Sequence, residues 1–467
     1  MRNFSSALAL ALLTGCSFIP AYQRPAPPIA PQWPAAGPAA PGPVAADIGW
    51  HSFFADPVLQ DLIALTLANN RDLRIAALNV QKAEAQYASE RANLFPIVDA
   101  TGSLQRQRIP ANVSGFGAPE NIREYSLGAG AVSWELDLFG KIRSQAKAAE
   151  ENYLSDADTQ LATQITLVAQ ISSTYYEWLA DREALQVATD AATAETGSLK
   201  LTQMQLDHGE ATAIDVAQAQ VALDTAQAAA AAYTRQVSQD MDELVLIAGT
   251  PLPDGLLIRM DAVSSLDAEP ALPNLHAGLP SDLLERRPDI RAAEDQLLAA
   301  NANIGAARAA FFPSIALTAN GGVASAGLNH LFGAGQGAWL FEPSISIPIF
   351  TAGQNLANLD IARIEKRIEI ATYEKTIQSA FHDTADALNA RETYVAQVQA
   401  EQNLVDADNR YDQLATMRYQ GGIDSFLNVL LAENSLLQAR LTLIGLELDE
   451  RQNTITLYKA LGGGWES

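Results

Sequence analysis

Cysteine is almost absent from this 467-residue chain: Cys16 stands alone. A single cysteine leaves no disulfide framework and no thiolate metal cluster. Histidine is scarce as well. His51, His208, His276, His330 and His382 are scattered, without a His-Glu-x-x-His pair, and no Gly-Lys-Ser/Thr loop is present to cradle phosphate. The chain therefore reads as a non-enzyme with no cofactor. Basic residues are in deficit, 30 Lys+Arg against 54 Asp+Glu for a formal net charge of −24, which argues against a nucleic-acid partner. Beyond the amino terminus there is no apolar run of the ~18 residues that a transmembrane helix needs. If this chain crosses a membrane, it does so with strands.

The amino terminus has the form of a secretory signal: Arg2, then the short apolar run 7–13. It ends at Leu13-Thr14-Gly15-Cys16, which resembles a bacterial lipobox and implies a lipidated Cys16 as first mature residue. Ser17 follows in place of an inner-membrane-retaining Asp, so the expected address is the outer membrane, with several acyl chains for a stable anchor. Residues 18–47 carry eight prolines between Pro25 and Pro43, which suits an extended strap better than a packed element.

The rest of the chain is a long-period duplication. At an offset of 217, Asp72, Arg74, Arg91, Phe95 and Pro96 meet Asp289, Arg291, Arg308, Phe312 and Pro313. At an offset of 213, Met204, Val216, Ala219 and Leu457's counterpart Leu244 fall on Met417, Val429, Ala432 and Leu457. Each half has a helical stretch ending at Phe-Pro, then a change of period from 3.6 to 2. The first strand pair is expected over Ile97–Gln107 and Glu124–Phe139 around a loop at 110–123; the second covers 314–323 and 339–349 around a loop at 326–338. Apolar and polar residues alternate along all four, as in a membrane barrel or a half-buried soluble hairpin. Pro343 and Pro348 count against the last strand.

The stretch Lys141–Asp207 has no proline and one glycine, and at 1.5 Å per residue would reach on the order of 100 Å as one helix. Leu161, Ile165, Val168, Ser172, Tyr175 and Leu179 form a heptad seam, as do Leu427, Leu430, Asn434, Leu437, Leu441, Ile444 and Leu448. Two matched turns interrupt these helices. His208-Gly209-Glu210-Ala211 precedes Thr212, and Gly421-Gly422-Ile423-Asp424 precedes Ser425, each reading as a glycine stop and a Ser/Thr N-cap. Four strands per chain cannot close a barrel in lipid, so an oligomer is required, and the count by itself allows a dimer or a trimer.

Several long motifs then carry a family resemblance. They include 53–57 (Phe-Phe-Ala-Asp-Pro), 131–140 (Ala-Val-Ser-Trp-Glu-Leu-Asp-Leu-Phe-Gly), 283–289, 309–314, 348–353 and 457–465. The chain resembles the TolC-like outer membrane factors of bacterial efflux systems, in the lipoprotein branch typified by OprM. That resemblance implies a homotrimer: a 12-stranded transmembrane β-barrel, four strands per chain, continuing into a periplasmic α-helical coiled-coil barrel. It implies a periplasmic membrane-fusion adaptor and an inner-membrane RND transporter as partners, outer-membrane lipid around the barrel, and a passive duct for drugs and other small amphiphiles. A duct for type I protein secretion, a metal-ion duct and a periplasmic coiled-coil scaffold lipoprotein are the alternatives.

Under this reading the chain divides into signal peptide 1–15, lipidated strap and equatorial segment 16–56, repeat-1 helices 57–96, hairpin 97–139, long helices 140–250, equatorial linker 251–280, repeat-2 helices 281–313, hairpin 314–350, and long helices with the carboxyl end 351–467. The resemblance places the aperture at the second turn. Leu427 matches an apolar constriction, and Asp215 and Tyr419 match a hydrogen-bonding pair that holds the closed state; Asp424 belongs to the same group. Leu431 stands where the family usually has an aperture Asp, and Asn428 where some members have a second one. Gly209, Thr212, Gly421, Gly422 and Ser425 mark the tips where the adaptor would dock.

Overall fold

The computed structural model describes residues 17–33, 45–115, 117–275 and 278–464, so the signal peptide and Cys16 lie outside the described residues. The elements are α1 (Trp50–Phe53), α2 (Pro57–Asn69), α3 (Arg71–Ala92), β1 (Val98–Ile109), β2 (Glu120–Glu135), α4 (Lys141–Asp207), α5 (Ala213–Ala248), α6 (Asp254–Ala262), α7 (Leu283–Arg286), α8 (Pro288–Ala309), β3 (Ser314–Ser325), β4 (Gly337–Ser346), α9 (Gln354–Gln420) and α10 (Phe426–Ala460). The duplication is visible in their lengths. α4 and α9 have 67 residues each, α3 and α8 have 22 each. The helix expected from Pro57 to Leu94 is two helices, because Asn70 leaves the helical path. Its Oδ1 accepts from the amides of Asp72 and Leu73 and its Nδ2 donates to the Ile247 carbonyl.

Two compact units result. The first comprises the described part of Met1–Ala26 with Asn79–Ala157 and Ala292–Glu374; the second comprises the described parts of Pro27–Leu78, Asp158–Arg291 and Lys375–Ser467.

In the first unit the strands form one antiparallel sheet in the order β1-β2-β3-β4. Residues directly opposite each other share a face, so the register assigns the faces. Val98, Ala100 and Leu104 align with Ala131, Ala129 and Tyr125, then with Ala319, Gly321 and Ser325, and across to Phe341 and Trp339. The opposite face carries Asp99, Thr101, Ser103, Ser126, Thr318, Asn320, Glu342 and Ser344; Ile109, Ile122 and Leu340 depart from it, and at the loop end of β1 and β2 Arg106, Arg108 and Arg123 fall on the apolar face. One face is apolar and the other polar, and both are exposed in the single chain.

A β-bulge keeps this segregation intact. In β2 the apolar residues are odd-numbered up to Ala131 and even-numbered at Trp134. The pairing steps from Ala131↔Ala319 to Trp134↔Leu317, which inserts one extra residue and returns Trp134 to the apolar face. Ser133 takes the positive φ of 56° that the bulge demands, and its amide donates to Thr318 Oγ1 at 3.1 Å.

β2 starts at Glu120, earlier than the expected loop end, and β4 stops at Ser346, short of Pro348 and Ile349. Pro343 lies inside β4, opposite Leu317 of β3, and does not interrupt the strand. On the polar face a Cβ at Gly130 would collide with the Ala319 carbonyl, and one at Gly322 with the Leu127 carbonyl. Glycine there lets neighbouring strands approach as a sheet curling toward its polar side requires.

The described first part of the proline-rich strap, residues 17–33, has no helix or strand, as expected, yet it is packed. Arg24 donates from Nε and a terminal amino group to the two oxygens of Glu294 on α8 at 2.8 and 2.7 Å, and Tyr22 OH donates to the same carboxylate at 2.9 Å. Phe18 stacks on Phe312 with ring centroids 4.6 Å apart. A Cβ at Gly305 would strike Ile19 and Ser144, so the strap lies flush against α8.

The second unit has a dense core near the middle of α4. Ile165, Val168, Ser172, Tyr175 and Leu179 of the expected seam are buried, and so are Leu167, Ile171, Tyr176 and Trp178 off it. Asp56 caps α2 by accepting from the Val58 and Leu59 amides, and Phe53 stacks on Tyr458 at 3.8 Å. Arg287 binds Asp289 and the Ala460 carbonyl, which fastens the start of α8 to the end of α10. α10 is long and apolar enough to cross a membrane by composition, but its apolar face is spent on packing: Val429, Leu430, Leu437, Ile444, Ile455 and Leu457 are buried.

Adjacent glycines give a direct test of the sheet. Gly322→Val should break the β2–β3 register and expose the hairpins to limited proteolysis while helical circular dichroism persists. Gly321→Val, whose added atoms point into open space on the other face, should leave the digestion pattern unchanged.

Candidate functional site: two matched helix turns

The two turns share one backbone design. Gly209 and Gly422 both adopt left-handed conformations, φ 78° and 68°, which favour glycine. In the first turn the amides of Gly209, Glu210 and Ala211 donate to the carbonyls of Leu206, Gln205 and Gln205 at 2.9, 2.8 and 3.3 Å. In the second, those of Gly422, Ile423 and Asp424 donate to Tyr419, Arg418 and Arg418 at 2.9, 2.9 and 3.4 Å. Every pair corresponds at the 213-residue offset. Gly421, by contrast, has an ordinary φ and room for a Cβ.

The side chains then diverge. Thr212 and Asp215 form a reciprocal capping box at the start of α5. The Asp215 amide donates to Thr212 Oγ1 at 3.3 Å, and Asp215 Oδ2 accepts from the Thr212 amide and hydroxyl, both at 2.7 Å. Ser425 occupies the N-cap position of α10, but its side chain makes no cap bond. This corrects the expectation of two equivalent Ser/Thr caps. Asn428 cannot close the box as Asp215 does, and its side chain bonds Asp424 instead. Asp424 is claimed mainly by Arg418, whose Nε and terminal amino group donate to its two oxygens at 2.6 and 3.0 Å. These bonds hold the Asp424 carboxyl below the usual carboxylate range. The second turn is stapled across its neck where the first is capped.

The turns are tied together by Tyr419, whose hydroxyl donates to Gln205 Oε1 at 2.6 Å. Asp215 is half-buried and engaged by Thr212, so within this chain Asp215 and Tyr419 are not joined to each other. Ala219, Ala415, Phe426, Val429 and Ala432 form a small core, with Leu199 and Tyr419 packed against it. Ile423 of the turn and Leu427 and Leu431 of α10 are 65%, 42% and 51% exposed; the two leucines, at i and i+4, share a face that points away from this core. Leu427, first in the expected seam, therefore faces outward where Leu430 and Leu437 face inward.

Sequence reasoning missed Arg418 and Gln205. A signal was present: a cation and an anion six residues apart across a Gly-Gly turn. Phe426 was passed over because the seam was read from Leu427.

The caps make a clean comparison. Thr212→Ala should lower stability by about 1 kcal/mol, whereas Ser425→Ala, with no cap bond to lose, should stay within ~0.5 kcal/mol. Denaturant titration of the two variants reads the difference.

Known proteins resemble this chain over nearly its whole length. The sequence matches the family described as Outer membrane efflux protein over residues 62–250 and 279–463. The toluene efflux pump outer membrane protein TtgC of Pseudomonas putida is 48% identical over 466 residues, covering 99% of this chain and 95% of that protein. The cation efflux system protein CusC of Escherichia coli is 40% identical over 467 residues, covering 99% and 98%. Among solved structures, the open state of the MtrE outer membrane channel of Neisseria gonorrhoeae superposes with a TM-score of 0.88 at 36% identity, over 97% of this chain and 99% of that one.

Proposed function

This chain belongs to the outer membrane efflux protein family, and from that premise we propose that it is the outer-membrane channel of a tripartite RND-type pump, a passive gated duct that carries drugs and other small amphiphiles from periplasm to exterior. The observation that supports this most is the four-stranded sheet, apolar on one face and polar on the other, with β1 and β4 left as open edges. In lipid such edges must be paired. Three copies joined β4 to β1 give a twelve-stranded barrel with its apolar face to lipid and its polar face to the lumen. The 67-residue helices α4 and α9 then continue the lumen into the periplasm as a coiled-coil tunnel. Lipid on Cys16 would anchor the strap to the inner leaflet of the outer membrane. The tips at Gly209–Thr212 and Gly421–Ser425 would dock the adaptor that links this chain to the inner-membrane transporter.

In the trimer, Ile423, Leu427 and Leu431 of the three copies would meet about the threefold axis and form an apolar constriction. Pairing of Asp215 with Tyr419 would require Tyr419 to leave Gln205, so the two hydrogen bonds of Tyr419 are alternatives. Leu431 removes the fixed negative charge that an aspartate would place in the ring.

The whole reading is tested by deleting the gene and measuring susceptibility to toluene, dyes and hydrophobic antibiotics, alongside purification of the tagged protein from its host. Sensitisation with a copurifying adaptor and transporter is expected; a trimer that copurifies with neither, in a strain of unchanged susceptibility, overturns it. The aperture has its own test. In planar bilayers, trivalent cations added on the periplasmic side should block the native channel weakly. Leu431→Asp should tighten block by at least about tenfold, equivalent to ~1.4 kcal/mol.

A further inference from the structure

Beyond the turns, α4 faces α10 across two carboxyl groups. Glu195 of α4 and Glu433 of α10 meet side chain to side chain. Glu195 is 7% exposed, and Glu195 Oε2 and Glu433 Oε2 find no other hydrogen-bond partner. Both line a cavity of about 290 Å³. The cavity collects one charged side chain after another: Asp190 of α4, Asp412 of α9 and Arg440 of α10, while α5 contributes only Ala222 and Ala226. Asp190 is held by Gln186 at 2.8 Å, and Arg440 is turned to Asn409 at 2.8 Å. Asp412 leaves Oδ1 without a partner. No cation therefore closes on the Glu195–Glu433 contact from any of the four helices. Two ionised carboxylates in contact at such a site repel each other with little water to screen them, whereas one shared proton turns the same contact into a hydrogen bond.

We propose that Glu195 and Glu433 form a proton-sharing clasp between α4 and α10 that tightens the bundle in acid and loosens it in base, acting on the helix that carries Leu427 and Leu431. The proton exchanges with water through the cavity, and its loss converts one neutral hydrogen-bonded pair into two adjacent anions. Glu433 lies two residues beyond Leu431, so strain in the clasp is delivered within one turn of that leucine. Burial, then the charges of Glu195 and Asp412, push Glu433 up to about 8, and burial raises Glu195 as well. The folded chain thus holds a proton that the unfolded chain releases near the ordinary glutamate value. Packing of α10 is strongest below that value and is lost as pH rises toward and through about 8.

α4 repeats the device two heptads earlier, against α5. Asp181 and Asp240 of α5 are in contact, Asp240 is 8% exposed, and Glu177 and Tyr233 face Asp181, with Glu243 facing Glu177. Burial and the Asp181 charge raise Asp240 to about 7.

The test uses the full-length protein in detergent and its Glu433→Gln, Glu195→Gln and Asp240→Asn variants. Infrared titration reads the carbonyl stretch of protonated carboxyls from pH 5 to 9. The native protein should lose one component with a midpoint near 8. Glu433→Gln and Glu195→Gln should each abolish that component, and Asp240→Asn should leave it in place. Thermal midpoints of the native protein should fall by roughly 4 °C across the same range, with at least half of the fall removed in Glu433→Gln. A purely structural glutamate would shift the midpoint equally at every pH. Absence of the component near 8, or its survival in both glutamine variants, overturns the proposal. These two readouts do not depend on the channel reading. Single-channel conductance, expected to rise from pH 6 to 9 in the native protein and to stay flat in Glu433→Gln, does depend on it, and flat native conductance beside an intact infrared titration counts against coupling to the aperture alone.

Discussion

Backbone hydrogen bonding at the sheet edges is the constraint on which the rest of this structure depends. β1 and β4 each have one row of amide and carbonyl groups with no neighbour in the chain. In water such an edge invites aggregation, and in lipid each unpaired group costs several kcal/mol. The sheet also exposes an apolar face too large to leave in solvent. Neither half of the duplication can relieve this, because each supplies only one hairpin. Assembly of several copies resolves both problems together, and the proposed trimer does so with twelve strands. The bulge at Ser133 and the close approaches at Gly130 and Gly322 prepare the sheet for that closure.

The helices carry the same duplication, with identical lengths of 67 residues for α4 and α9. Matching backbone bonds at Gly209 and Gly422 show that the conformations of the turns were kept. Side chains are where the copies part. One turn is closed locally by a capping box, the other by an Arg418–Asp424 staple, and exposed Leu431 on α10 has the polar Gln218 as its counterpart on α5. Two carboxyl contacts two heptads apart on α4 join it to α5 and to α10.

Much of this was legible from periodicity. Strand and helix patterns differ in period, and an α-helix of 67 residues with one glycine and no proline announces itself. Local chemistry was legible too, as in the glycine stops and the Thr212 cap. What escaped were features that depend on distant partners. The parity change between Ala131 and Trp134 was visible along β2, but only pairing with β3 shows that it is a bulge. The strap looked free because its ligands, Glu294 and Phe312, lie some 270 residues away or more. Ser425 resembles Thr212 by type and position, yet its hydroxyl makes no cap bond, and Asn428, which would complete a capping box, is bound to Asp424.

The sequence by itself determined the duplication, the alternation of hairpins with long helices, the number of strands and the location of the turns, because these rest on contacts between residues near each other in the chain. Tertiary structure alone decided which carboxylates meet, that the Tyr419 hydroxyl donates to Gln205, and which leucines of one seam turn outward. Those outcomes depend on how four helices are rotated about their axes, and a rotation of a fraction of a turn exchanges a buried side chain for an exposed one without altering the pattern that announces the helix.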